Sequence, residues 1–93
     1  MSVNSNRRLV VSDDVLTQVV GDEMVLLNAG TGVYYGLDAV GASMFHVVTT
    51  AESIRAACDT LRARYDVEPD RLRGDVDALV EKLTSLGLLE WKD

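Results

Sequence analysis

Residues 15–20 read Val-Leu-Thr-Gln-Val-Val, a β-rich run that ends at Gly21-Asp22. That pair supplies turn chemistry, because glycine tolerates positive φ and aspartate can bond its own backbone. Residues 24–27 form a second apolar run, short enough for a strand. Ala29-Gly30-Thr31-Gly32 makes a second turn, and residues 33–37 a third strand. Three strands joined by tight turns predict an antiparallel meander. Residues 1–8 carry no pattern and are expected to be disordered, ahead of one domain over residues 9–93.

The period then changes. Asp38 is suited to cap a helix over residues 39–48, with Val40, Met44, Val47 and Val48 on one side. Thr49 with Glu52 fits a capping box, and Thr50 serves equally, at the start of a second helix that ends near Tyr65. Ile54, Ala57, Cys58, Leu61 and Tyr65 fall there at helical spacing. Pro69 suits the first turn of a third helix, where its missing N–H would have been unpaired anyway. Leu72, Val76, Leu79, Leu83 and Leu86 repeat at alternating steps of four and three, so they share one stripe. Gly87 is placed to cap the helix in the left-handed conformation, and Leu88, Leu89 and Trp91 continue as a short apolar tail. A meander followed by three helices predicts an α+β domain of winged helix-turn-helix type.

Composition narrows what such a domain does. A chain of 93 residues makes one domain, and it buries about two-thirds of its unfolded surface. Fifteen acidic against nine basic side chains give a net charge of −6, which repels a phosphate backbone. Arg55, Arg62, Arg64, Arg71 and Arg73 fall in adjacent helices, but acids interleave with them. No apolar run approaches the eighteen or so residues of a membrane helix, and the start lacks the apolar core of a signal peptide. The cytoplasm is the expected location. A single cysteine, Cys58, excludes an internal disulfide.

No catalytic constellation emerges. His46 is the sole histidine and has no recognisable second ligand or orienting acid. Cys58 sits at an apolar helical position and reads as core. Gly30, Gly32 and Gly36 lie in a hairpin and its following strand, so they do not form a phosphate loop. Turn geometry explains the first two. Gly36, inside a strand, points either to a bulge or to close approach of another backbone. Tyr34 and Tyr35 are adjacent on that strand and must face opposite ways. With Val33 and Leu37 inward, Tyr35 is buried and Tyr34 is exposed, a handle for a partner beside an open edge. Asp75 borders the stripe and reads chiefly as solvated surface.

Taken in order, Gly21-Asp22-Glu23-Met24-Val25-Leu26-Leu27-Asn28, Gly32-x-Tyr34-Tyr35-Gly36-Leu37, Val40-Gly41, Tyr65-Asp66-Val67, Asp75-Val76 and Leu86-Gly87-Leu88-Leu89 resemble the PqqD-like family. The likeness is to the stand-alone recognition elements of lasso-peptide biosynthesis. It spans about residues 15–89, and it lacks the Tyr-Pro-Glu-Gly stretch usual in the quinone-cofactor members. The resemblance implies a non-enzymatic protein that needs no cofactor or metal. The leader of a ribosomal precursor would add to the third strand as a fourth, antiparallel one, against the third helix. The implied peptide-binding residues are Val33, Tyr34, Tyr35, Gly36 and Leu37 on the strand, with Arg73, Asp75, Val76 and Leu79 on the helix. The implied partners are the precursor leader, a leader-cleaving protease and an ATP-dependent macrolactam cyclase, with neither nucleic acid nor membrane.

Two other readings compete. Presentation of a peptide to a radical S-adenosylmethionine enzyme shares the fold and the binding mode. A winged-helix DNA regulator shares only the fold, and the net charge and the acids of residues 70–77 oppose it. An enzyme acting alone fits least.

Overall fold

The two-residue turn at Gly21-Asp22 sets the register of the largest sheet. In a computed structural model, which describes residues 8–92, Gly21 takes φ 63° and no non-glycine residue has positive φ. Positive φ at the first central position alone is the type II′ pattern, whose twist matches that of paired strands. It joins β2 (Val15–Val20) to β3 (Glu23–Asn28), and a longer turn leads from β3 to β4 (Tyr34–Leu37). The order β2-β3-β4 is an antiparallel meander, as the pattern predicts.

Three helices follow, α1 (Ala39–Thr50), α2 (Ile54–Arg64) and α3 (Pro69–Ser85). The chain is therefore an α+β domain of winged helix-turn-helix type. The Asp38 carboxylate accepts from the Gly41 N–H at 2.8 Å and caps α1, as its position suggests. At the next boundary the expectation fails. Ser53, not Thr49 or Thr50, caps α2, accepting from the Ala56 N–H. Both threonine hydroxyls instead donate back to α1 carbonyls, Thr49 to Phe45 and Thr50 to His46, so α1 runs to Thr50 rather than Val48. Pro69 occupies the first turn of α3. At the other end Leu88 N–H donates to Leu83 C=O and Gly87 N–H to Thr84 C=O, with Gly87 at φ 73°. This pair of bonds closes α3 as a Schellman motif.

The apolar tail is a strand. β5 (Leu89–Lys92) pairs antiparallel with β1 (Arg8–Val11), matching Leu9 with Trp91 and Val11 with Leu89. Arg8, expected to be disordered, is the first residue of that ladder, and residues 1–7 lie outside the described residues. Leu9 and Leu89 enter the core with Leu26, Leu37, Ile54, Leu61 and Leu88. The stripe of α3 is centred one step from the expected line. Leu72, Val76, Val80 and Leu83 are fully buried, whereas Leu79 and Leu86 pack at the rim. In α1, Phe45 takes the buried place that the pattern gives to Val40, which is exposed.

Asn28 ties these parts together. Its Oδ1 accepts from the N–H groups of Gly30 (2.9 Å) and Thr31 (3.1 Å), an Asx-type closure of the β3–β4 turn. Its Nδ2 donates to the Gly87 carbonyl at 3.0 Å, linking the turn to the end of α3. Replacing Asn28 by alanine removes these bonds and leaves the Gly87 carbonyl short of a partner. The expected loss is about 2–3 kcal/mol, measured as a lowered urea midpoint at unchanged slope. An unchanged midpoint would mean that water replaces the amide at no cost.

Candidate functional site

An antiparallel ladder alternates its bonding, so the register says which backbone groups are unspent. The two-residue loop makes Val20 and Glu23 a bonded pair, and bonding to β2 then falls on Glu23, Val25 and Leu27. Met24, Leu26 and Asn28 bond in the other direction, to Leu37, Tyr35 and Val33. The Asn28 N–H does donate to the Val33 carbonyl, at 2.8 Å. On β4, Tyr34 and Gly36 are thus left with N–H and C=O groups directed away from the sheet. β4 is an outer strand of its sheet, so this edge is open.

The two faces of β4 differ. Tyr35 and Leu37 turn inward with Leu26 and Met24. Tyr34 turns outward and is 73% exposed, in one cross-strand row with Leu27 and Leu16. The expected orientation of the tyrosine pair therefore holds. Val33 falls outside β4: its N–H donates to the Thr31 hydroxyl at 3.3 Å, so it belongs to the turn. Gly36 marks no bulge, because the register runs unbroken from Leu27–Tyr34 to Met24–Leu37. A Cβ on Gly36 would meet nothing within 4 Å, and no positive φ requires a glycine there.

On α3 the expected residues divide. Val76 is 1% exposed and belongs to the core, so it supports the helix rather than lining an open groove. Leu79 lies at the core's rim, half-buried. Asp75 is exposed, 3.9 Å from Arg71 on the same helix face. The Arg73 Nε donates to the Asp77 carboxylate at 3.0 Å, and this half-buried pair lies beside Cys58 of α2. β4 packs mainly on β3 and α1, whereas α3 packs mainly on α2 and β5.

Burial pushes the Cys58 thiol up; Arg73 opposes this, and Asp77 and Asp59 add to it. A thiol held protonated is a poor nucleophile. His46 is exposed on α1. Among the described residues no three His, Cys, Asp or Glu side chains come together as a metal site, and no helix is long and apolar enough to cross a membrane. Reading the residues alone misses the Asn28 lock and the Leu16–Leu27–Tyr34 row. The first had a signal, an asparagine at a strand end two residues before a glycine. The second needed the register.

These features define a small α+β domain that offers an open strand edge. The chain belongs to the family of coenzyme PQQ synthesis protein D (PqqD), whose model matches residues 23–89. It is similar to TbiB1, solved in complex with the TbiA(beta) leader peptide, at 32% identity and a TM-score of 0.81. That match covers 87% of this chain and 94% of that one. A lasso peptide synthetase B1 complexed with its leader peptide shares the fold at 23% identity and a TM-score of 0.80, over 89% and 98% of the two chains. No curated relative matches the chain.

An exposed residue of β4 and a buried residue of α3 make a direct stability test. Tyr34→Ala removes an exposed ring and is expected to change unfolding free energy by less than about 0.5 kcal/mol. Val76→Ala cuts a buried side chain and is expected to cost roughly 2 kcal/mol. Denaturant titration of both variants checks this, and a larger loss for Tyr34→Ala would reverse the assignment of the faces.

Proposed function

We propose that this chain is a non-catalytic binding protein of lasso-peptide biosynthesis that captures the leader of a ribosomal precursor. One observation carries the reading. The open edge of β4 presents Tyr34 and Gly36, in a fold shared at 32% identity with a protein solved in complex with a leader peptide. An extended leader adds there as a fourth, antiparallel strand. Backbone bonds to Tyr34 and Gly36 supply affinity with little sequence preference, and flanking side chains supply selectivity.

Of the side chains expected to take part, Tyr34 is the most accessible, and Val33, Tyr35 and Leu37 frame the strand from the turn and from below. Leu79 and Asp75 offer an apolar rim and an acid from α3. Arg73 is held by Asp77, and Val76 acts from beneath, through the placement of α3. No metal or cofactor has a part in this mechanism. The loaded precursor is then handed, in the cytoplasm, to a leader-cleaving protease and an ATP-dependent macrolactam cyclase.

The family match favours one second reading, delivery of a peptide to a radical S-adenosylmethionine enzyme. The binding step is the same and the client differs. Copurification from the native host separates them by which enzyme accompanies the loaded protein.

Ordering a disordered leader consumes several kcal/mol, so a dissociation constant in the nanomolar to micromolar range, roughly 8–12 kcal/mol, is expected by fluorescence polarisation. Gly36→Pro removes one outward N–H while sparing the β3 ladder, and is expected to weaken binding at least about tenfold. Val33→Pro is a poorer test, because it breaks the turn. Circular dichroism checks that Gly36→Pro folds. Leader binding by that folded variant equal to the parent's would exclude β4 as the docking edge.

A further inference from the structure

The sheet has a second open edge, which leader binding at β4 leaves unused. β2 is the other outer strand, six residues long, and among the described residues it pairs only with β3. By the same alternation its even residues bond β3, so Thr17 and Val19 direct their N–H and C=O groups outward, whereas the Val15 N–H is spent on the Ser12 carbonyl at 3.0 Å. Edges of this kind are normally blunted by lysine, proline, a bulge or shortness. β2 has none of these. Its six residues, Val15 to Val20, include no charge, no proline and no glycine, and its register is unbroken. Leu16, Val19 and Val20 are each 62% exposed, so aliphatic surface lies on both sides of the edge. By contrast β1 and β5, also outer strands, are four residues each and carry Arg8, Glu90 and Lys92.

The ends of β2 are strongly charged. Asp13 and Asp14 precede it, and Asp22 and Glu23 follow it; all four are exposed and none pairs with a described cation. This arrangement decides between two occupants. A second copy pairing antiparallel would bring the Asp13–Asp14 end of one chain to the Asp22–Glu23 end of the other, doubling like charge at both ends. An extended segment with an uncharged apolar centre and basic residues at each end meets the opposite sign at both ends, in either direction. We infer that β2 is a second strand-addition edge, and that its occupant is a basic-flanked extended segment of a partner protein. The inference does not rest on the use made of β4. With both edges occupied, the domain would hold two chains in one sheet.

The test uses the folded chain with isotope-labelled amides and two blocked synthetic peptides. Each peptide has a centre of alternating valine and threonine; one is ended by paired lysines and the other by paired glutamates. The lysine-ended probe is expected to shift the Thr17 and Val19 amides saturably at physiological salt, and to bind about tenfold or more tightly than the glutamate-ended one. Thr17→Pro removes an outward N–H without touching the β3 ladder, and is expected to abolish the shifts. Should Thr17→Pro not fold, Asp22→Asn combined with Glu23→Gln is a surface change expected to weaken the lysine-ended probe several-fold. Equal binding of the two probes, shifts confined to Tyr34 and Gly36, or no saturable shift would each overturn the proposal. So would sedimentation equilibrium showing a dimer that Thr17→Pro dissolves.

Discussion

Asn28 is the one polar residue among those described that is buried, and its side chain joins the β3–β4 turn to the end of α3. The position requires an amide. Oδ1 must accept from two turn N–H groups while Nδ2 donates to the Gly87 carbonyl, and a carboxylate of the same shape would set charge against that carbonyl. The neighbours are fitted to it. A Cβ on Gly30 would lie 3.0 Å from the Asp14 carboxylate and 3.3 Å from the Asn28 Oδ1, so the turn admits little beyond glycine. Gly87 takes φ 73°, which turns the chain out of α3 and presents its carbonyl. The Asp14 carbonyl also accepts from the Ala29 N–H at 2.8 Å, bringing in the segment before β2. Since β4 begins six residues after Asn28, the placement of its edge against the end of α3 is set by this amide.

Above that lock the meander divides its surface. Its inner face is spent on the core through Leu26, Leu37 and Tyr35. Its outer face carries Leu16, Leu27 and Tyr34 across all three strands, all exposed among the described residues. Its two edges are unpaired, and they differ in chemistry. β4 has a tyrosine and a glycine beside a helix cap, whereas β2 is aliphatic and bounded by acids. One sheet in a 93-residue chain thus offers distinct surfaces to distinct strands. The small sheet of β1 and β5 joins the two ends of the described chain.

Much of this architecture is legible in the order of the residues. Alternation and turn chemistry yield the meander and the outward Tyr34, and the Asp38 cap, Pro69 and Gly87 mark helix ends. What is not legible has identifiable physical causes. β1 and β5 are four residues each and pair across the whole chain, as Leu9 with Trp91, so neither carries a local signal. The hydroxyls of Thr49, Thr50 and Ser53 could each cap a helix, and only the path of the chain chooses Ser53. Leu79 and Val80 are adjacent, and α3 turns Val80 fully inward because it packs on α2 and β5 together. The same packing buries Val76, so a residue read as groove lining is core. Val33 continues the apolar run of β4, but the Asn28 and Thr31 bonds claim it for the turn.

Two glycines remain that the fold itself does not explain. Gly36 and Gly74 both have ordinary φ, and a Cβ on either would meet nothing within 4 Å. Each has a cost, about 1 kcal/mol against alanine inside a helix and of that order in a strand. Gly74 lies in α3 between Arg73 and Asp75, and Gly36 lies on the β4 edge between Tyr35 and Leu37. Both therefore fall among the residues proposed to meet the leader. For Gly36 the geometry supplies a reason. A strand added to β4 would set one outward side chain over the gap that Gly36 leaves beside Val25, and a large side chain covering a cross-strand glycine recovers the packing that the glycine lacks. The isolated domain would then be less stable than it could be because part of its sheet is completed only by the chain that it binds.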